Sequence, residues 1–255
     1  MAISLTFGFD RAKRAAAEML RVAQAQGLNY SPSCQGATAT VASTATEKKS
    51  QSISPLRGTG WWRIAHQWRD IGHGKETYLE AKRAVETWEH FRVSWPFGGA
   101  QVADTQQRPP RIGDGYIVLA GFLQFWSINP LRVLYVRESV DTQPRTASTP
   151  HNVQQEQRGQ RGTRKLPSKN TRVKSYRVGS GCLGGHLLAG EERFSIVWDH
   201  DTDKVAFEVL SFSRPQGVTG TLLYPVTYCL QSLFGVRSCD AVQAQVRRGR
   251  RSASS

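Results

Sequence analysis

Apolar residues recur at every third or fourth position in the segment that follows Gly74. Tyr78, Ala81, Val85 and Trp88 have this spacing, and charged residues occupy most positions between them. Because an α-helix has 3.6 residues per turn, these four side chains fall on one face. The pattern predicts an amphipathic helix that packs this face on a core.

Two later segments alternate in the way that strands do. Residues 192–198 and 205–212 flank a polar turn, and pairing Trp198 with Val205 places Phe194 opposite Val209. One face of this predicted hairpin is then apolar throughout. On the other face, Arg193 and Glu208 become diagonal neighbours. We expect Glu208 to form a structural ion pair there, with Arg193 or with Arg214.

The remaining elements follow from apolar runs and turn residues. Residues 116–126 read as a strand, Asn129-Pro130 as a turn, and residues 131–136 as a second strand. A last helix starts at Tyr224, where Pro225 is acceptable in the first turn. The order of helix, strands, hairpin and helix predicts an α+β domain with an antiparallel sheet.

Composition divides the chain into three parts. Residues 1–60 read as an N-terminal helix followed by a flexible linker, and residues 61–240 as one α+β domain. A polar, basic insert over residues 137–178 interrupts this domain and is predicted to be disordered. The residues from 241 to 255 are predicted to be a basic, disordered tail.

The charge is concentrated in two of these segments. The formal net charge is +14, and residues 137–178 hold ten Lys/Arg against three Asp/Glu. Arg247, Arg248, Arg250 and Arg251 add four more positive charges. The rest of the chain is close to balanced, which makes nucleic acid an unlikely partner. The insert 137–178 is better suited to an anionic membrane surface.

Several kinds of cofactor site are excluded by spacing. Residues 179–184 match G-x-G-x-x-G, but a strand hairpin follows them instead of the helix that a dinucleotide site requires. The acidic turn at residues 199–204 has Lys204 where a calcium loop needs glycine. The four cysteines include no C-x-x-C pair. We therefore expect neither a cofactor nor a metal.

One group of residues has the chemistry of acid–base catalysis. Imidazole and carboxyl groups near one another can move protons, although no nucleophile is marked. The candidates are His186, Glu191, Glu192, Glu208 and Arg214. An enzymatic role is the less favoured hypothesis.

Several segments together resemble an uncharacterised family, the domain of unknown function nineteen-ninety. They are residues 71–91, 126–136, 179–199 and 208–215. The chain is most similar to the plant branch, although its insert is longer and more basic. The resemblance implies a helix-grip (START or Bet v 1-like) fold, in which a curved antiparallel sheet packs on helices and often holds an apolar ligand. For the plant branch it also implies the chloroplast, its outer envelope and a proposed pore-forming role.

Three hypotheses about function follow. The first is a non-enzymatic binding module for an apolar or lipid-like molecule, lined by Phe194, Ile196, Phe207, Val226 and Leu230. The second is a chloroplast outer-envelope pore or a peripheral membrane protein. The third is an enzyme that uses His186 with Glu191 or Glu192. The expected location is the chloroplast, with the cytoplasm as the alternative.

Overall fold

The computed structural model describes residues 5–41, 53–56, 58–96, 98–103, 108–144 and 170–253. Its strands are β1 (Leu5–Phe7), β2 (Arg63–His73), β3 (Val93–Trp95), β4 (Gly98–Ala103), β5 (Gly115–Phe122), β6 (Phe125–Pro144), β7 (Asn170–Cys182), β8 (Leu188–Asp199) and β9 (Lys204–Pro215). Its helices are α1 (Phe9–Gln26), α2 (Gly74–Glu86), α3 (Gly217–Leu222) and α4 (Tyr224–Ala253). Short 3-10 turns lie at Pro32–Cys34, Ala37–Thr40, Ser54–Leu56 and Glu89–Phe91.

The described strands form one antiparallel sheet. Its order is β2-β9-β8-β7-β6-β5-β4-β3, and β1 pairs with β6 outside this path. Strands β2 and β3 therefore lie at opposite edges, and α2 with the turn Glu89–Phe91 connects them. The sheet curls into a half-barrel whose concave face packs on α2 and α4. The predicted α+β fold class, a curved antiparallel sheet packed on helices, is confirmed.

The main core lies between the concave face and the helices. Tyr78, Ala81 and Val85 of α2 are buried there, as their spacing predicts, together with Phe194 and Ile196 of β8. Burial of each large side chain stabilises the fold by roughly 1.5–3 kcal/mol. Amphipathic periodicity thus determines which side of α2 meets the sheet.

The predicted β8–β9 hairpin is confirmed in its register. Trp198 pairs with Val205, and Phe194 pairs with Val209. Arg193 and Glu208 project from the opposite, convex face and form an ion pair. Of the two arginines considered as partners of Glu208, Arg193 is the one that pairs with it.

The prediction of a turn at Asn129-Pro130 is wrong. Strand β6 runs through both residues, and the turn lies earlier, at residues 123–124. The Asn129 side chain donates from Nδ2 to the carbonyl of Val118 at 3.1 Å. Hydrogen bonding to β5 therefore persists beside Pro130, which has no N–H of its own.

The prediction of a disordered insert over residues 137–178 is wrong at both ends. Strands β6 and β7 pair from Leu131–Cys182 out to Pro144–Asn170, and the side chains of Tyr176 and Val178 are buried. Alternation of these apolar residues with polar ones supports a strand despite the basic composition. Residues 145–169 lie outside the described residues.

The predicted disordered tail is also wrong over most of its length. Helix α4 continues to Ala253, and Val242 and Val246 are buried against the core. These two residues are four apart and fall on the same helix face. The apolar face of α4 therefore extends well into the basic region.

Part of the predicted linker is packed rather than flexible. Residues 30–41, which we call the strap, lie on the convex face of the sheet. Cys34, Ala37 and Thr38 of the strap are buried. Residues 42–52 and 57 lie outside the described residues.

The first two glycines of the G-x-G-x-x-G segment lie in a strand. Gly179 and Gly181 belong to β7, where aromatic side chains lie directly over them. A Cβ at Gly179 would stand 2.2 Å from Cζ of Tyr135. Close packing therefore requires glycine at this position, and the left-handed backbone lies further on, at Gly185 (φ +85).

Candidate functional site

A cavity of about 130 Å³ lies between the concave face of the sheet and the first half of α4. Most of its wall is aromatic or aliphatic, with contributions from Phe91, Trp95, Val118, Leu131, Leu230 and Phe234. Uncharged polar side chains complete the wall, among them those of Ser127, Asn129, Ser211, Ser213 and Gln231. The arrangement is that of a ligand pocket, with an apolar surface and a few polar groups.

The phase of α4 determines which of its residues reach the cavity. Thr227, Leu230, Gln231 and Phe234 line it, and they follow the spacing of one helix face. Val226 lies one residue before Thr227, so its side chain is turned about 100° away. It is 48% exposed.

Glu192 places a carboxyl group in this cavity. It lies on β8 between Ser180 of β7 and Ser211 of β9, and its unburied surface faces the cavity. Within the described ranges, its carboxyl group has neither a hydrogen bond nor an ion pair. Burial raises its pKa to about 8. At neutral pH the side chain is therefore mostly a neutral acid.

Glu191 has a structural role on the opposite face of the same strand. Its carboxylate accepts hydrogen bonds from Tyr30 Oη (2.8 Å), Thr38 Oγ1 (2.9 Å) and the N–H groups of Gly36 and Thr38. Burial raises its pKa, and these hydrogen bonds oppose that shift. Glu191 therefore fixes the strap to the sheet.

Glu208 also lies on the convex face, within a buried polar cluster. Its Oε2 accepts from Nη2 of Arg193 at 3.0 Å, and its Oε1 is 3.0 Å from Nε2 of His66. Arg193 also donates from Nη1 to the carbonyls of Thr38 and Val41, each at 2.6 Å. The cluster joins β2, β8, β9 and the strap.

The remaining catalytic candidates are His186 and Arg214. His186 is at the edge of the cavity, where its Nδ1 accepts from the Leu188 N–H at 2.9 Å, and burial lowers its pKa to about 4. It is therefore neutral at physiological pH. The Arg214 guanidinium lies 4.3 Å from the ring centre of Trp62. The structure thus does not assemble the five candidates. His186, Glu191 and Glu192 line the cavity, but the carboxylate of Glu191 is bound by Tyr30 and the strap.

Of the five predicted ligand-lining residues, one lines the cavity. Leu230 lines the cavity, whereas Phe194, Ile196 and Phe207 are packed within the core beside it. Val226 faces solvent, so its prediction as a lining residue is wrong. Sequence reasoning missed the wall from β5 and β6, including Val118 and Leu131. Their only signal was the alternation within apolar strands.

Metal-binding residues do not cluster in the described ranges. No group of three or more His, Cys, Asp or Glu side chains there is able to hold a metal ion. Cys182 lines the cavity as a free thiol, and burial raises its pKa. In the same ranges, none of the helices combines the length and apolar composition needed to cross a bilayer.

A model described as "Domain of unknown function (DUF1990)" matches residues 44–241. The chain belongs to this family. A UPF0548 protein of Arabidopsis thaliana is 32% identical over 176 residues, which are 69% of each chain. One of Dictyostelium discoideum is 28% identical over 178 residues, or 67% of this chain and 66% of that relative.

Solved structures with a similar arrangement are distant in sequence. A hypothetical protein of Helicobacter pylori is 9% identical, with a TM-score of 0.37 over 80% of this chain and 98% of that chain. Norcoclaurine synthase of Thalictrum is 8% identical, with a TM-score of 0.37 over 74% and 97% of the two chains.

Proposed function

We propose that this protein is a non-enzymatic binding module that holds a small, largely apolar molecule between the sheet and α4. The observation that carries this proposal is the cavity, whose apolar wall includes one unpaired carboxyl group. The dispersal of the catalytic candidates favours binding over catalysis. The family membership is compatible with such a role and assigns no activity.

The size of the cavity limits the ligand. A volume of about 130 Å³ is close to that of engineered protein cavities that bind benzene. A single ring or a short alkyl chain therefore fits without rearrangement. A lipid-like ligand would place only part of its chain in the described cavity.

Fluorobenzene provides a probe of suitable size. We expect its ¹⁹F resonance to broaden and shift in the presence of the wild-type protein. A Leu230→Trp variant fills the cavity and should abolish this effect. Val226→Trp adds the same ring four residues earlier on α4, where the side chain faces solvent, and should bind like the wild type. Unchanged binding in Leu230→Trp, or no binding to the wild type, would contradict the proposal.

Native mass spectrometry would detect a natural ligand, and the same two variants show whether it occupies the cavity. We expect the purified wild-type protein to carry an additional small mass that Leu230→Trp lacks and Val226→Trp retains. The same additional mass on all three proteins would place the ligand outside the cavity and contradict the proposal.

A chloroplast or outer-envelope location remains a prediction from the family resemblance. Residues 145–169 contain six Lys/Arg and one Asp/Glu, which favours peripheral attachment to anionic lipid over insertion. Isolated membranes test this point. A protein released by salt is peripheral, whereas one that resists a carbonate wash is integral and would support the pore hypothesis.

A further inference from the structure

We propose that the ligand of this cavity carries a primary or secondary amino group, whose ammonium pairs with the carboxylate of Glu192. The inference rests on the proposed binding function and specifies the chemical class of the ligand. It starts from the carboxyl group of Glu192, which lines the cavity and has no hydrogen-bond or ion-pair partner among the described residues.

Among the described residues, the cavity wall provides an acidic group and no basic partner for it. In the described part of the chain, neither lysine nor arginine lines the cavity. The adjacent carboxylate of Glu191 is bound to Tyr30 and the strap on the other face of the sheet. His186 is held neutral by burial, and its Nδ1 is occupied by the Leu188 N–H. Among the described residues, none supplies a positive charge beside Glu192, and a cationic ligand would do so.

The surroundings of Glu192 also suit the hydrogen bonds of an ammonium group. An ammonium group has up to three donors, and one carboxylate does not satisfy all of them. Ser211 is paired with Glu192 across β8 and β9, and it lines the same cavity as Ser213 and Asn129. Their side-chain oxygens are potential acceptors for the remaining donors. The apolar wall on the side of α4 would hold the ring or alkyl part.

An ammonium ligand is favoured over the other classes by its charge. Hydrogen bonds between ionised groups are roughly twice as strong as neutral ones. An anionic ligand would meet a carboxyl group with no cation to offset either charge. A neutral ligand would gain only one ordinary hydrogen bond from the protonated acid. The geometry therefore points to a small amine.

Binding of an amine changes the protonation of Glu192. The neutral acid releases its proton to solvent, and the carboxylate that forms pairs with the ammonium that entered. The free acid and the free ammonium are thereby converted into the bound ion pair and one proton in solution, so atoms and charge balance. Below the pKa of about 8, the affinity should rise about tenfold per pH unit. It should level off once Glu192 is ionised in the free protein.

Calorimetry with four ring-sized probes tests the inference. The probes are benzylamine, benzyl alcohol, benzoate and toluene. We expect benzylamine to bind the wild-type protein at least tenfold more tightly than benzyl alcohol, with release of a proton. Glu192→Gln should remove this preference and still bind toluene. Asp70→Asn, which removes a carboxylate from an exposed pair with Lys204, should retain the preference.

Different results would contradict the amine inference and the proposed binding function. Equal affinities for benzylamine and benzyl alcohol would overturn the inference, as would tightest binding of benzoate. Affinity for benzyl alcohol that falls above pH 8, without an amine preference, would show Glu192 acting as a neutral donor instead. Failure of all four probes to bind would contradict the proposed function itself.

A measurement on the wild-type protein avoids any dependence on the folding of the variant. The ¹³C shift of the Glu192 carboxyl group reports its ionisation directly. We expect saturating benzylamine to lower the pKa of Glu192, and toluene to leave it raised. An unchanged pKa in saturating benzylamine would overturn the inference.

Discussion

Arg193 donates to Glu208 at 3.0 Å across the β8–β9 hairpin, and both side chains are fully buried. The two residues lie on the convex face, where Arg193 also holds two carbonyl groups of the strap. This pair is separated from the cavity by the thickness of the sheet. The convex face thus carries a buried polar cluster, and the concave face lines the mostly apolar cavity.

Glu208→Gln should destabilise the protein strongly. The substitution leaves the buried Arg193 guanidinium without its counter-charge, which typically costs about 3–5 kcal/mol. Urea denaturation measures this loss as a decrease in the free energy of unfolding. Asp70→Asn breaks an exposed ion pair and should cost less than about 1 kcal/mol. Similar losses in the two variants would contradict a structural role for the buried pair.

Glu191→Gln should loosen the strap before it affects the rest of the fold. The amide group of glutamine presents two donors to a site where Tyr30, Gly36 and Thr38 already donate. Amide hydrogen exchange should therefore become faster in residues 30–41. Glu18→Gln is a suitable control, because Glu18 pairs with Arg21 on the exposed surface of α1. Unchanged protection of the strap would show that Glu191 does not fix it.

Gly179→Ala should destabilise the protein through its contact with Tyr135. The added methyl group would overlap the tyrosine ring, and such overpacking typically costs about 1–3 kcal/mol. A Tyr135→Leu change in the same chain should recover part of the loss. Thermal or urea denaturation of the four proteins gives the coupling between the two sites. Strictly additive losses would contradict this steric explanation.

The raised pKa of Glu192 predicts a loss of stability as the pH rises. The folded protein binds the Glu192 proton more tightly than the unfolded chain does, since the pKa moves from 4.5 to about 8 on folding. The contribution of Glu192 to stability is fully present below pH 4.5, and it should decrease between about pH 4.5 and 8. The slope from this residue is at most about 1.4 kcal/mol per pH unit.

Glu192→Gln removes this titration. The variant should gain stability relative to the wild type as the pH rises from 5 to 8, and the gain should be constant above that. Urea denaturation at several pH values provides the comparison. Parallel profiles for the two proteins would show that Glu192 has an ordinary pKa.

Local patterns were sufficient to predict α2 and the β8–β9 hairpin. The apolar residues of α2 follow a helical period, and those from Phe194 to Val209 follow a strand period. Each pattern is contained within one element or one hairpin. The register then follows, because a shift by one residue would move Phe194 to the polar face.

Composition misled the prediction for the ends of the insert and for the tail. Arginine and lysine outnumber acidic residues in 137–178 and in 241–255, and their charge suggested disorder. Within these basic regions, Tyr176, Val178 and Val246 still have the spacing of a buried face. The buried faces of β7 and α4 therefore depend on a few regularly spaced apolar residues, which are not evident from the average charge of these segments.

The cavity was only partly predictable. Its wall combines β4 to β6 with α4, so residues such as Val118 and Leu230 meet only through the closure of the sheet. No pattern within a single strand or helix predicts that these residues line the same cavity. The opposite orientation of Glu191 and Glu192 was accessible, however, because successive residues of a strand point to opposite faces.

Crystallographic location of bound bromobenzene would test the central claim most directly. The anomalous signal of bromine identifies the ligand position without reference to the protein coordinates. We predict one site between Leu131, Leu230 and Phe234, beside Glu192. Bromobenzene bound elsewhere, for example in the hollow near Lys13 and Arg108 beside α1, or absent at saturating concentration, would contradict the account.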